Sequence, residues 1–120
     1  MAQGDYAHIE IPADDLARAQ RFYAGVFGWD MVPMEGSADY LVYQTPGRVT
    51  GGGIGRRNVN VGPAITNYIE VASIDASLPL VEQLGGRVTH PREEVPGFGW
   101  WAGVEDSEGN AFGLFEPMPR

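Results

Sequence analysis

Cysteine is absent, which excludes disulfides, thiolate nucleophiles and thiolate metal sites together. Histidine is almost absent: only His8 and His90 occur, so any metal site has to be assembled from these two and carboxylates. Bases are outnumbered by acids, eight against sixteen, and the resulting net charge of -8 repels phosphate backbones, so nucleic acid is not an expected partner. The same field modestly favours cationic ligands, or simply keeps a small domain soluble. No run of eighteen apolar residues occurs, nor a basic start followed by an apolar stretch. A membrane is therefore not an expected partner, and the expected location is the cytoplasm.

The chain's 120 residues are 43% hydrophobic, enough for the core of a single domain spanning 1–120. Residue n resembles residue n+60: Ile9, Glu10, Ile11, Asp15 and Gly25 face Ile69, Glu70, Val71, Asp75 and Gly85. This points to one design used twice, a first module over about 1–58 and a second over about 64–120, joined by a linker at 56–63.

In the first module, His8 to Ile11 alternates polar and apolar residues as a half-buried strand does, and Asp14 stands as a candidate helix cap. Leu16, Ala19, Phe22, Tyr23, Val26 and Phe27 then recur at spacings of three and four, and Gly28 offers a left-handed stop. Short β-prone stretches follow at 29–34, 40–45 and 49–54, giving the order βαβββ. The second module repeats this with a strand at 67–71, a helix from about 77 to 84 and strands at 87–90, 100–105 and 111–115. Pro79 fits the first turn of that helix.

The residues Asp15-Leu16 through Phe22-Tyr23 to Phe27-Gly28-Trp29, with Asp106-Ser107-Glu108-Gly109-Asn110 before Phe112-Gly113-Leu114-Phe115-Glu116, resemble the vicinal oxygen chelate superfamily, the glyoxalase, bleomycin-resistance and extradiol-dioxygenase group. The resemblance covers nearly the whole chain. It implies an α+β fold in which two tandem βαβββ modules make a curved eight-stranded mixed sheet around a cavity, helices outside, commonly completed in a homodimer. It also implies a divalent metal in many members, each module offering one ligand from its first strand and one from its last. Carried onto this sequence by motif, those positions are His8, Gly53, Tyr68 and Gly113. His8 alone retains a metal-binding side chain, so no metal cofactor is expected, although a divalent ion held by His8 with Glu10 or Glu70 stays open. A dioxygenase triad is disfavoured as well, because His90 precedes Pro91 near a turn and reads as a surface residue.

Strand alternation places His8 and Glu10 on one face, with Ile9 and Ile11 on the other, and likewise separates Tyr68 and Glu70 from Ile69 and Val71. His8, Glu10, Tyr68 and Glu70 then point away from the helices, where Glu10 and Glu70 are candidate catalytic carboxylates or merely hydrogen-bonded pocket residues. Trp100, which corresponds to Tyr40 at the offset of sixty, joins it in an expected aromatic wall, unless either is core packing. His8, Tyr40, Tyr68, Trp100 and Phe115 form the expected ligand-binding set. The leading expectation is a small-molecule-binding protein of the glyoxalase and bleomycin-resistance type. The alternative is an enzyme, either a metal-assisted lyase, isomerase or dioxygenase with atypical ligands, the lyase or isomerase type ahead of the dioxygenase, or a metal-free acid/base catalyst using Glu10 or Glu70. Gly51-Gly52-Gly53-Ile54-Gly55 lacks the lysine and hydroxyl of a phosphate-binding loop and reads as a strand that leaves room for a close approach.

Overall fold

The computed structural model describes residues 2–119 except 38 and 49, and its chain divides into two compact units, His8–Thr66 and Met1–Ala7 with Asn67–Arg120. Eight strands of mixed sheet and two helices give the α+β class, in two βαβββ modules. The first module runs β1 (Tyr6–Ala13), α1 (Leu16–Phe27), β2 (Asp30–Pro33), β3 (Tyr40–Gln44) and β4 (Gly51–Arg56). Its strands lie in the order β2-β3-β4-β1, with β1 and β4 parallel and the other neighbours antiparallel. The second runs β5 (Thr66–Glu70), α2 (Ile74–Gln83), β6 (Arg87–Val95), β7 (Gly99–Glu105) and β8 (Ala111–Pro117), ordered β5-β8-β7-β6.

Each module builds its own core from the apolar parity of its strands. In module one Ile11, Ala13, Leu41, Tyr43 and Ile54 are buried, with Leu16, Ala19, Tyr23, Trp29 and Met31 packed on them. In module two the buried set is Val71, Ile74, Ala102, Val104 and Leu114. Ile54, Ile74 and Val104 are fully enclosed, and each contributes roughly 2 kcal/mol by leaving water. Burial also pushes the Tyr43 phenol up to about 12, with Tyr23 nearby adding to it, and its hydroxyl donates to the Ile9 carbonyl.

The helices correct several expectations. Asp15, not Asp14, caps α1 by accepting from the Arg18 amide, while Asp14 pairs with Arg57 at 2.9 Å; Gly28 ends the helix at φ 73° as expected. Phe22, Val26 and Phe27 of the apolar stripe remain more than half exposed, so only its Leu16, Ala19 and Tyr23 edge packs on the core. Helix α2 begins three residues before the expected position, because Ser73 accepts from the Ala76 amide and Glu116 Oε1 accepts from the Ile74 amide at 2.8 Å. Pro79 consequently lies inside α2, beyond its first turn.

Strand β6 runs to Val95, past the expected end at His90, because Pro91 falls within a register shift, between His90 and Glu93, on a strand that ends the module's order. A strand edge tolerates a residue without an N–H. The expected strand at 49–54 begins at Gly51, residue 49 lying outside the described residues. Asp106 closes the β7–β8 hairpin by accepting from the amides of Glu108 and Asn110, which makes 106–110 a tight turn.

Candidate functional site

Strand register, more than sequence offset, shows which residues of the two modules correspond. Glu10 lies opposite Gly53 where β1 meets β4, and Tyr68 lies opposite Gly113 where β5 meets β8. With the two glycines matched, Tyr68 is the counterpart of Glu10 and not of His8. The same two-residue correction matches the helix caps Asp15 and Ser73. Because two residues is an even shift, the facing of each strand survives it. On the third strands, Tyr40 pairs with Gly55 and Trp101 pairs with Phe115, so the counterpart of Tyr40 is Trp101 and not Trp100.

In module one, Ile11 and Ile54 turn to the helix-covered core, leaving His8, Glu10 and Tyr40 together on the opposite face. The Tyr40 hydroxyl donates to Glu10 Oε2 at 3.0 Å and lies 2.8 Å from His8 Nε2. His8 and Glu10 themselves stand 4.0 Å apart, with side chains 33% and 16% exposed. Desolvation holds the His8 pKa below its ordinary value, so the imidazole is neutral at pH 7. The Tyr40 ring lies so close over Gly53 that a Cβ there would collide with its hydroxyl and ring carbons. Gly53 is the space that the tyrosine occupies.

In module two the corresponding face is aromatic. Tyr68 covers Gly113, whose Cβ would meet ring carbons near the root of the side chain. Trp101 stands edge-on to Tyr68, with centroids 6.4 Å apart, and carries the His90 ring stacked at 4.2 Å. His90 also hydrogen-bonds Glu93 at 3.0 Å, and with its side chain 39% exposed it is the surface residue expected, though on β6 and not at a turn. Phe115 shares the register of Trp101. Trp100 instead packs on the apolar core with the Arg92 guanidinium 4.4 Å above its ring. Glu70 ends β5 opposite Phe115, half-buried, and its carboxylate has no hydrogen-bond or ion-pair partner among the described residues. The expected set is thus brought together as His8, Glu10 and Tyr40 in one module and Tyr68 and Phe115 in the other, with Trp101 and His90 added and Trp100 turned to the core.

These residues do not fit the divalent ion that the resemblance implies. The last-strand positions, Gly53 and Gly113, carry no donor, and their side-chain space is filled by Tyr40 and Tyr68. Among the described residues no three His, Asp or Glu side chains gather closely enough to hold an ion. An open depression of about 330 Å³ lies elsewhere in module one, lined in part by Pro12, Asp14, Arg18, Phe22 and Arg57. Arg57 is committed there to Asp14 and to the Pro63 carbonyl. No helix of the described chain is long and apolar enough to cross a membrane.

Two βαβββ modules with this strand order define a fold class, and relatives make the assignment specific. A family model described as bleomycin resistance protein-like N-terminal matches residues 6–46. A glyoxylase-like domain-containing protein of Didymella fabae is 30% identical over 121 residues, with 92% of each chain covered. The chain belongs to the vicinal oxygen chelate superfamily, the glyoxalase and bleomycin-resistance group. The anthracycline biosynthesis protein DnrV of Streptomyces peucetius is 28% identical over 131 residues, covering 95% of this chain, which spans about half of that protein, 47%. Methylmalonyl-CoA epimerase from Mycobacterium tuberculosis shares the fold, with a TM-score of 0.76, 20% identity and coverage of 99% and 92% of the two chains.

Proposed function

We propose that the protein binds a planar aromatic small molecule on its polar sheet face without a divalent metal, and does so as a cytoplasmic homodimer. The observation that carries this reading is the His8–Tyr40–Glu10 group, in which a tyrosine fills the space over Gly53 and is hydrogen-bonded to both first-strand side chains. A phenol ring with a polar head offers a ligand both a stacking surface and directional hydrogen bonds. The relative named for anthracycline biosynthesis suggests fused aromatic rings as the ligand class, and the net charge of -8 favours a cationic one.

The test is titration of untagged protein with a cationic anthracycline, followed by tryptophan fluorescence, alongside elemental analysis of the same preparation. Saturable binding that survives a chelator, with metal far below stoichiometric, is expected, and Tyr40→Ala should weaken it about tenfold. Near-stoichiometric metal whose removal abolishes binding would sink the metal-free reading.

The chain of hydrogen bonds through Tyr40 also favours a second reading, a metal-free acid/base catalyst of lyase or isomerase type with Glu10 as the proton carrier. Turnover of a carbon acid that disappears in Glu10→Gln but persists in Glu70→Gln would move the assignment to catalysis.

A further inference from the structure

We propose that Trp29, stacked between Tyr43 and Tyr23, is the station of a one-electron relay that discharges oxidising equivalents outward through Tyr23 and not inward through Tyr43. The three rings follow one another in near-parallel contact on the helix side of module one. Tyr43 lies on Trp29 with centroids 4.3 Å apart and planes at 6°, and Trp29 lies on Tyr23 at 4.9 Å and 11°. Rings this close and this parallel overlap their π-systems, the geometry through which an electron passes most readily. Phe22 and Phe27 meet Tyr23 edge-on or tilted, and a phenylalanine ring is too hard to oxidise to extend the path.

The two tyrosines differ in what they can do with a proton. Oxidised tyrosine has to release its single phenol proton to a base or to water. Tyr43 is 3% exposed and donates that proton to the Ile9 carbonyl, an amide oxygen too weakly basic to take it away. Its acidity, pushed up to about 12, expresses the same confinement. The Tyr23 hydroxyl has no hydrogen-bond partner among the described residues, and since none of their buried side-chain polar atoms lacks one, it meets solvent. Tyr23 also lines the open depression beside α1. At neutral pH a tyrosine that can shed its proton to water gives up an electron more readily than tryptophan, so discharge through Tyr23 runs downhill. With an organic peroxyl radical as oxidant, one electron leaves Trp29 and Tyr23 refills the indole while its phenol proton passes to water. The peroxyl, taking that electron and a proton from water, becomes a hydroperoxide, and Tyr23 is left as a neutral tyrosyl radical that a soluble reductant can quench. Trp29, which packs on the core of module one, keeps its ring.

Tris(bipyridyl)ruthenium(III), generated by light with a cobalt(III) ammine as electron acceptor, serves as the test oxidant, its positive charge drawing it to the acidic chain. Peptide mapping after limited exposure reads where the oxidation comes to rest. In the wild type, dityrosine at Tyr23 should exceed ring-opened product at Trp29. Tyr23→Phe keeps the stacked ring and removes the outlet, so ring-opened Trp29 should rise severalfold, whereas Tyr43→Phe should leave it unchanged. Trp100 and Trp101, in the other module, act as internal gauges, because loosened packing would raise their oxidation as well. Trp29 oxidised equally in the wild type and Tyr23→Phe, raised as much by Tyr43→Phe, or raised only in step with Trp100 and Trp101 would each overturn the proposal.

Discussion

The two modules meet the same backbone register with different chemistry. Module one sets Glu10 opposite its last-strand glycine and lays Tyr40 from β3 over that glycine, so the face is hydrogen-bonded and titratable. Module two sets Tyr68 opposite its glycine, lets that same first-strand residue cover it, and buttresses it with Trp101 and His90. One hole is filled from the third strand and the other from the first. A duplicated backbone thus holds a hydrogen-bonded polar group in one copy and an aromatic stack in the other.

The sharpest way to break this comparison is to add one methyl group to each glycine. At Gly113 the new Cβ meets the root of the Tyr68 ring, which cannot swing away without moving β5; at Gly53 it meets the far end of Tyr40, which can rotate outward. Gly113→Ala is therefore expected to cost about 3 kcal/mol and Gly53→Ala about 1 kcal/mol in denaturant unfolding. Equal losses, or the reverse order, would show that the two rings yield alike.

A smaller difference separates the helix starts. Asp15 alone caps α1, whereas α2 begins on Ser73, which accepts from Ala76, and on Glu116, which accepts from Ile74 and lies 3.7 Å from Arg92. Ser73→Ala should cost about 1 kcal/mol. Because Glu116 serves a different amide, Ser73→Ala with Glu116→Ala should lose close to the sum of the two single changes. A double variant no worse than Ser73→Ala alone would remove Glu116 from the account of why α2 starts at Ile74.

What the sequence made legible follows from periodicity. Alternation along 8–11 sorts His8 and Glu10 from Ile9 and Ile11, and an even register error leaves that sorting intact, so the polar faces were readable despite a wrong offset. Counterparts were not readable, because the offset changes along the chain, 58 from Glu10 to Tyr68, 61 from Tyr40 to Trp101 and 60 from Gly53 to Gly113, and sequence numbering cannot tell where the length differences fall. The misassignment of Trp100 has that origin: a one-residue error on a third strand exchanges the two faces, and Trp101 is the residue beside Tyr68. The glycine-rich stretch 51–55 signalled a close approach without naming what approaches, since Tyr40 lies on another strand. His90 was hidden by Pro91, which ordinarily ends a strand but is accommodated here within the register shift between His90 and Glu93.

His8 supplies the smallest effect and the finest test of the asymmetry. Its pKa is lowered by desolvation in the folded chain, whereas the unfolded chain takes up the proton near 6.5. Between the lowered value and 6.5 the unfolded state binds more protons, so stability is complete above about 6.5 and declines as the pH falls below it. Thermal unfolding of the wild type should therefore lose more ground between about pH 7.5 and pH 5.5 than that of His8→Gln, which cannot take up a proton but can still donate to the Tyr40 oxygen. Identical slopes would mean that His8 gains a compensating partner when charged, Glu10 at 4.0 Å being the nearest acid already in place. That outcome would leave the hydrogen-bonded group intact while making it a site that tolerates an imidazolium.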